Sequence, residues 1–134
     1  MRLDLYQAET ARIANEQGAL LAQAKAILKQ GRELTPLEQG GVLHALQILI
    51  ENAIGKAKQL LKASDQSVPV SAYDAFKALA NLGQIAQPDL PAWNAIIGLR
   101  NRIVHDYMNI DMDQVIALVA ADKEQFVVRF LVNA

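Results

Sequence analysis

The sequence predicts an all-α fold, an up-down bundle of four main helices plus one short helix. Three observations support this prediction. Apolar residues recur at helical spacings along most of the chain, and no stretch alternates with the period of two that marks a strand. Proline, glycine and helix-capping residues separate the helical segments. The 134 residues, 52% apolar and 20% charged, suit one globular domain with a real core.

The first predicted element is a long amphipathic helix over about residues 3 to 30. Its apolar positions repeat every seven residues, at Tyr6, Ile13, Leu20 and Ile27, with Ala14, Leu21 and Leu28 one residue after the last three. Such a repeat forms a buried seam or a dimer face. Gly31 is expected to end this helix.

A second long helix is predicted over about residues 36 to 63. Thr35 is a good N-cap, Pro36 suits the first helical position, and Glu38 completes a capping box. Spacings of three and four mark its buried seam, which comprises Leu43, Leu46, Ile50, Ala53, Ala57 and Leu60.

A short third helix follows a loop, with Ser71 as its cap and Asp74 three residues further on. The residues expected to face the core are Tyr73, Phe76, Leu79 and Ala80. The sequence thus predicts one brief helix between two loops.

Two more main helices complete the predicted bundle. The fourth begins near Pro91 and ends at about Met108, and the last begins after Asp111 as N-cap, with Gln114 in the capping-box position. The predicted inner stripe of the last helix is Val115, Leu118, Val119, Phe126 and Phe130. The sequence predicts this last helix as one continuous element.

The fourth helix carries a cation on its apolar face. On a helical wheel of 100° per residue, Arg100 lies in the middle of the stripe formed by Trp93, Ile96, Ile97, Ile103, Val104 and Tyr107. Asn101 and His105 lie one turn apart just beside that face. Arg102 and Asp106 fall on the opposite side, where they can pair as i and i+4.

A guanidinium in an apolar stripe is costly to bury unless it is paired. Arg100 can meet a buried carboxylate elsewhere in the fold, or it can lay its stem on the core with its head in water. His105 by itself is more simply a satisfied boundary histidine. The combination of cation, amide, imidazole and phenol on two turns of one helix also suits the floor of a cleft that holds a phosphodiester.

Composition narrows the function classes. The chain has no cysteine and only two histidines, His44 and His105, so we expect no disulfide and no metal site. No stretch is long and apolar enough for a membrane span, and the N-terminus lacks a signal peptide, so we expect a soluble, cytoplasmic protein. The net charge is −1, so any grip on nucleic acid must come from a local basic cluster.

Candidate phosphate contacts are few. Lys56, Lys58 and Lys62 can form a basic strip on the second helix, and Arg102 is a further candidate for contact with a nucleic-acid backbone. A charge run on a long helix is more often simply solvated. His44, Glu51 and Lys58 recur every seven residues, which favours a solvated face for them too.

The segment "RNRIVHDY", residues 100 to 107, resembles the motif of HEPN-domain proteins, and specifically of the HepT-like toxins. The motif consists of an arginine, a polar residue, a spacer, a histidine, any residue and a tyrosine. The segments "SAYDAFKALANLGQI" and "NIDMDQVIALV" resemble the family's short helix before the motif and the start of its last helix. The resemblance implies a single HEPN-like helical domain over residues 1–134.

The resemblance further implies a metal-independent endoribonuclease without a cofactor, usually a homodimer in which the two motif helices face each other. It implies a cognate antitoxin, a minimal nucleotidyltransferase of the MntA type, which silences the toxin by attaching AMP to the motif tyrosine, here Tyr107.

RNA cleavage needs little from the protein, because the 2′-hydroxyl beside the scissile phosphate is the nucleophile. We expect His105 to act as general base or acid, and Arg100 to stabilise the transition state. Asn101 is expected to orient the imidazole or to bind phosphate. The products would be a 2′,3′-cyclic phosphate and a 5′-hydroxyl.

Two other functions remain open. HEPN-like bundles also serve as non-catalytic partners that bind substrate for, or regulate, a nucleotidyltransferase. The chain can also be a purely structural bundle in which Arg100 is paired internally and Tyr107 simply meets water.

Overall fold

The computed structural model describes residues 3–133, which contain no strand and form six α-helices. The helices are α1 (Leu3–Lys29), α2 (Pro36–Ala63), α3 (Ala72–Asn81), α4 (Leu90–His105), α5 (Met112–Ala120) and α6 (Gln125–Val132). Short 3₁₀ turns at Gln87–Asp89 and Tyr107–Asn109 flank α4. The predicted all-α bundle is therefore confirmed. None of the described helices combines the length and hydropathy that a membrane span requires.

Helix α2 lies at the centre of the bundle and packs against α1, α3, α4 and α6. Its start is fixed locally, because the Thr35 hydroxyl accepts from the Glu38 N–H at 3.2 Å and Glu38 accepts from the Thr35 N–H at 2.8 Å. This is the predicted capping box. The predicted seam of α2 is buried except for Leu60, which is partly buried against the core.

An aromatic cluster joins α3, α4 and α6. Phe76 and Trp93 are buried and stack with ring centroids 4.2 Å apart. The half-buried rings of Phe126 and Phe130 meet Trp93 edge-on at 4.8 and 5.0 Å. This cluster packs α3 and α6 on the same part of α4, which holds α4 against the bundle.

The predicted last helix is interrupted, which corrects the sequence prediction. Asp122 adopts φ +57°, its N–H donates to the Val119 carbonyl at 3.0 Å, and the Lys123 N–H reaches Leu118 at 3.0 Å. These bonds are a Schellman motif, which ends α5. Aspartate tolerates the left-handed conformation, so the helix ends without the glycine that would have signalled it. Beyond the break, Val127 and Leu131 are the buried residues of α6.

Helix α4 ends at His105, earlier than the predicted Met108. Asp106 leaves the helical backbone with φ −145° and ψ 44°, and the chain then enters the turn Tyr107–Asn109. The helical-wheel position predicted for Tyr107 is therefore wrong, because wheel angles hold only within a continuous helix.

The predicted pair between Arg102 and Asp106 is not formed within residues 3–133. The Asp106 carboxylate instead accepts from the Asn109 amide at 2.7 Å. The Asp106 N–H still donates to the Arg102 carbonyl at 2.8 Å, but its φ of −145° departs from the helical value, which turns its side chain away from the direction that a helical residue would have.

Four side chains face differently from the prediction, the first being Val104, which was expected on the apolar stripe of α4 and is 41% exposed. Tyr73 is 40% exposed and not in the core, and Leu20 is 45% exposed, while Leu21 beside it is buried. Lys56 was expected in an exposed basic strip, but it is buried and donates to the carbonyls of Phe130 and Asn133. It is unable to contact RNA from there.

Candidate functional site

Arg100 projects from α4 towards α2, where it meets Glu51. Its Nε and Nη2 atoms donate to the same carboxylate oxygen, Oε2, at 3.1 and 2.9 Å. The two side chains are 26% and 32% exposed, so the pair is not sealed in the core. A carboxylate partner, one of the two arrangements that the sequence left open for Arg100, therefore exists, although it is not buried and water still reaches the guanidinium.

Asn101 also binds Arg100. Its Oδ1 accepts from Nη1 of Arg100 at 3.2 Å. A guanidinium carries five N–H donors, and the two partners use three of them. One N–H on each terminal nitrogen remains, which is what two oxygens of a phosphate can accept.

A cleft of about 440 Å³ opens beside this pair. Its lining residues are Glu51, Ile54, Lys58, Val70, Ser71, Ala72, Tyr73, Arg100 and Asn101. The Lys58 ammonium donates to the Val70 carbonyl at 2.9 Å, which ties the loop before α3 to α2. The Tyr73 hydroxyl lies next to Gly98, 3.6 Å from where a Cβ would stand. The cleft thus combines two cations, a carboxylate, an amide and a phenol.

His105 lies at the C-terminal end of the same helix and is exposed. Within residues 3–133 its ring makes no hydrogen bond, and it is not among the residues that line the cleft. It lies five positions after Arg100, about 7.5 Å along the helix axis. Around α4 it lies 140° from Arg100, so the structure does not bring its ring into the cleft, and Asn101 bonds to Arg100 and not to it.

Tyr107 begins the turn after α4 and is 55% exposed. Its phenol lies outside the predicted apolar stripe and is reachable by another protein. The non-helical residue Asp106 separates it from His105.

The remaining candidate cations lie in different places. Lys62 is exposed, one turn beyond Lys58 on α2. Arg102 lines another groove of about 690 Å³ between α4 and the α5–α6 segment. It is 200° from Arg100 around α4, so the structure does not bring it into the same cleft.

Glu51 is the site residue that the sequence reasoning missed. It was expected on a solvated face with His44, which is exposed. The only signal was that Arg100 needed an acidic partner, and nothing local identifies a residue 49 positions earlier in the chain. Helix packing alone brings the two together.

Within the described residues, no group of three or more His, Cys, Asp or Glu side chains is arranged to hold a metal ion.

Known proteins resemble this chain in sequence. The model of the ribonuclease HepT-like family matches residues 19–129. The mRNA nuclease HepT of Shewanella oneidensis is 34% identical over 88 residues, which span 66% of this chain and 66% of that protein.

Solved structures share the fold. A toxin–antitoxin crystal structure with AMP-PNP has a TM-score of 0.78 at 23% identity and covers 94% of this chain and 97% of that one. The tri-AMPylated Shewanella oneidensis HEPN toxin in complex with MNT antitoxin has a TM-score of 0.75 at 26% identity, covering 91% and 93%. With the family match over most of its length, the chain belongs to the ribonuclease HepT-like family, as its motif predicted.

Proposed function

We propose that this protein is a toxin endoribonuclease that cleaves RNA without a metal ion, using Arg100 and His105. One observation carries the proposal. A water-accessible arginine with unused donors and an exposed histidine, to which no described residue hydrogen-bonds, stand on the helix that bears the family motif. Its substrate implies that it acts in the cytoplasm.

The chemistry requires only proton transfer and charge stabilisation. The 2′-hydroxyl of RNA attacks the adjacent phosphorus, the bond to the 5′-oxygen breaks, and a proton moves from one oxygen to the other. His105 takes or gives that proton, because an imidazole can act as either a base or an acid. Arg100 donates to the phosphate oxygens as negative charge builds. The products are a 2′,3′-cyclic phosphate and a 5′-hydroxyl.

Asn101 serves the same phosphate. Since its Oδ1 accepts from Arg100, its amide nitrogen is left to donate to a phosphate oxygen or to the imidazole.

A homodimer completes the proposed mechanism. One imidazole cannot readily act as base and acid in a single step, and a two-fold axis supplies a second His105. The exposure of His105 at the end of α4 supports this arrangement. Light scattering on the purified protein is expected to give twice the chain mass.

Lys58 and Lys62 are proposed to contact the RNA backbone beside the cleft, because one lines it and the other follows on the same helix. Arg102 lies on the other side of α4, so it contacts RNA only where the strand wraps around that helix. Replacing Lys62 by alanine is expected to weaken RNA binding and to reduce its salt dependence.

The decisive experiment compares the two histidines in an RNA cleavage assay with EDTA. His105→Ala is expected to lower the rate about 10²–10⁴-fold, while His44→Ala, an exposed histidine on α2, cleaves like wild type. Both variants are expected to keep the wild-type thermal midpoint. Cleavage by His105→Ala at the wild-type rate rejects the proposed role of His105. No cleavage by wild type, with EDTA or without it, rejects the nuclease and leaves the non-catalytic HEPN partner.

The proposed inhibitor is a cognate nucleotidyltransferase that modifies Tyr107. The phenol oxygen attacks the α-phosphorus of ATP, a P–O bond forms, and pyrophosphate and the phenol proton leave. The exposure of Tyr107 and the likeness to a tri-AMPylated HEPN toxin in complex with its antitoxin support this. The added phosphate and base would crowd the motif helix and repel RNA.

Mass spectrometry after co-expression with a minimal nucleotidyltransferase of the MntA type tests the modification. Wild type is expected to gain AMP on Tyr107, and Tyr107→Phe to gain none. Tyr73→Phe is the matched control, because Tyr73 is a similarly exposed phenol, and it should be modified like wild type. AMP on any other residue, or no added mass, counts against the proposal.

A further inference from the structure

Glu51 is held at the cleft by contacts on one oxygen. Its Oε2 accepts from Nε and Nη2 of Arg100 and, at 3.3 Å, from Gln47 one turn earlier on α2. No hydrogen bond from within residues 3–133 reaches its other oxygen. The carboxylate of Glu51 on α2 therefore binds one edge of the Arg100 guanidinium on α4.

The contact with Glu51 restricts the orientations that the Arg100 side chain can adopt. An arginine side chain loses considerable rotamer entropy when it is fixed, so an unrestrained guanidinium would sample many orientations. Glu51 occupies the edge formed by Nε and Nη2, and Asn101 holds Nη1 from the side. The Arg100 guanidinium is therefore already ordered in the free protein, before any phosphate binds.

The same contact has an electrostatic cost for binding. The negative charge of Glu51, 2.9 Å from Nη2 of Arg100, offsets the cation that an RNA phosphate would meet. A phosphate that approaches the remaining donors also approaches this carboxylate. Glu51 thus improves the orientation of Arg100 and weakens the attraction for the RNA backbone.

We propose that Glu51 is a positioning residue for Arg100, which holds the guanidinium in its reactive orientation at the expense of ground-state affinity for RNA. This inference rests on the proposed nuclease function. It assigns opposite effects to the geometry and to the charge of one side chain, and two substitutions can separate them.

Glu51→Gln keeps the shape and removes the charge. Because both Arg100 contacts end on a single oxygen, an amide oxygen can accept them both. We expect kcat within about threefold of wild type and a KM for RNA lowered about three- to tenfold. Glu51→Ala removes the contact with Arg100. We expect its kcat to fall about 10- to 100-fold and its KM to be no higher than in wild type.

The matched control is Glu16→Ala, which removes a carboxylate that pairs with Arg12 at 2.7 Å on the exposed face of α1. It should leave kcat and KM unchanged. A purely structural role for Glu51 would lower the thermal midpoint and the kcat of both variants without the decrease in KM. That outcome, or a wild-type kcat for Glu51→Ala, overturns the inference.

Binding of RNA that is 2′-O-methylated throughout, and so cannot be cleaved, gives a second readout. Glu51→Gln is expected to bind it about three- to tenfold more tightly than wild type, and equal or weaker binding overturns the inference whether or not cleavage occurs. Cleavage by wild type but not by His105→Ala establishes the nuclease separately, so a failure of one proposal is distinguishable from a failure of the other.

Discussion

Lys56 is a buried cation whose replacement by methionine is expected to destabilise the protein by about 1–3 kcal/mol. Its side chain is 3% exposed, and its ammonium donates to the carbonyls of Phe130 and Asn133 at the end of α6. It also lies 5.0 Å from the centroid of the Phe130 ring. Lys56 therefore fastens the last helix to the centre of the bundle.

The magnitude follows from two opposing terms. Two hydrogen bonds from a charged donor contribute about 1.5–3 kcal/mol each, and Lys56→Met removes both. Burying an ammonium costs several kcal/mol, and the methionine avoids this cost. For a chain of this length the net loss corresponds to a decrease of roughly 3–12 °C in the thermal midpoint.

Thermal and urea unfolding followed by circular dichroism measure the loss, with Lys77→Met as the control, since Lys77 is exposed on α3. The pH dependence gives a second check. Burial lowers the pKa of Lys56 from its ordinary 10.5, so between the folded and the unfolded pKa the unfolded chain binds more protons. Wild type should therefore gain stability over Lys56→Met as the pH rises towards 10.5. A Lys56→Met variant as stable as wild type, or a stability difference between the two that decreases as the pH rises, would refute the reasoning.

Three further predictions concern stability. Gly41→Ala should raise the free energy of unfolding by about 0.5–1 kcal/mol in urea titrations, because Gly41 lies inside α2 with nothing within 4 Å of an added Cβ. The Arg32 guanidinium and the capping bonds hold the pKa of Glu38 at about 2, below its ordinary 4.5. The stabilisation that the ionised Glu38 provides is complete above pH 4.5 and is lost as the pH falls towards 2. Arg32→Ala should therefore make the free energy of unfolding less dependent on pH in that range. Lys25→Met should cost about 3–5 kcal/mol by thermal unfolding at neutral pH, since it leaves the carboxylate of Glu124, 1% exposed, without the cation that binds it at 2.8 Å.

The helices and their starts could be predicted because they depend on local interactions. A cap bonds to a residue three positions away, as at Thr35 and Glu38, and the buried seam of α2 follows from the helical period. Ser71 and Asp111 also cap their helices as predicted. The helix ends were harder, since Asp122 takes a left-handed conformation that the sequence permits without requiring.

The candidate site was only partly predictable. The motif placed Arg100, Asn101 and His105 on one helix, and the structure confirms that they lie there. The early end of α4 moved Tyr107 off that helix, because the helical spacing was extended past the last helical residue.

The sequence by itself determined the all-α class, the order of the helices and the motif of α4, because periodicity and capping act within a few residues. Only the tertiary structure decided that Glu51 meets Arg100, that Lys56 is buried under α6, and that Arg102 faces a different groove. These outcomes depend on how α2, α4 and α6 pack. A helix carries no local mark of which neighbour its polar side chains will face, so such contacts between distant residues follow from packing and not from periodicity.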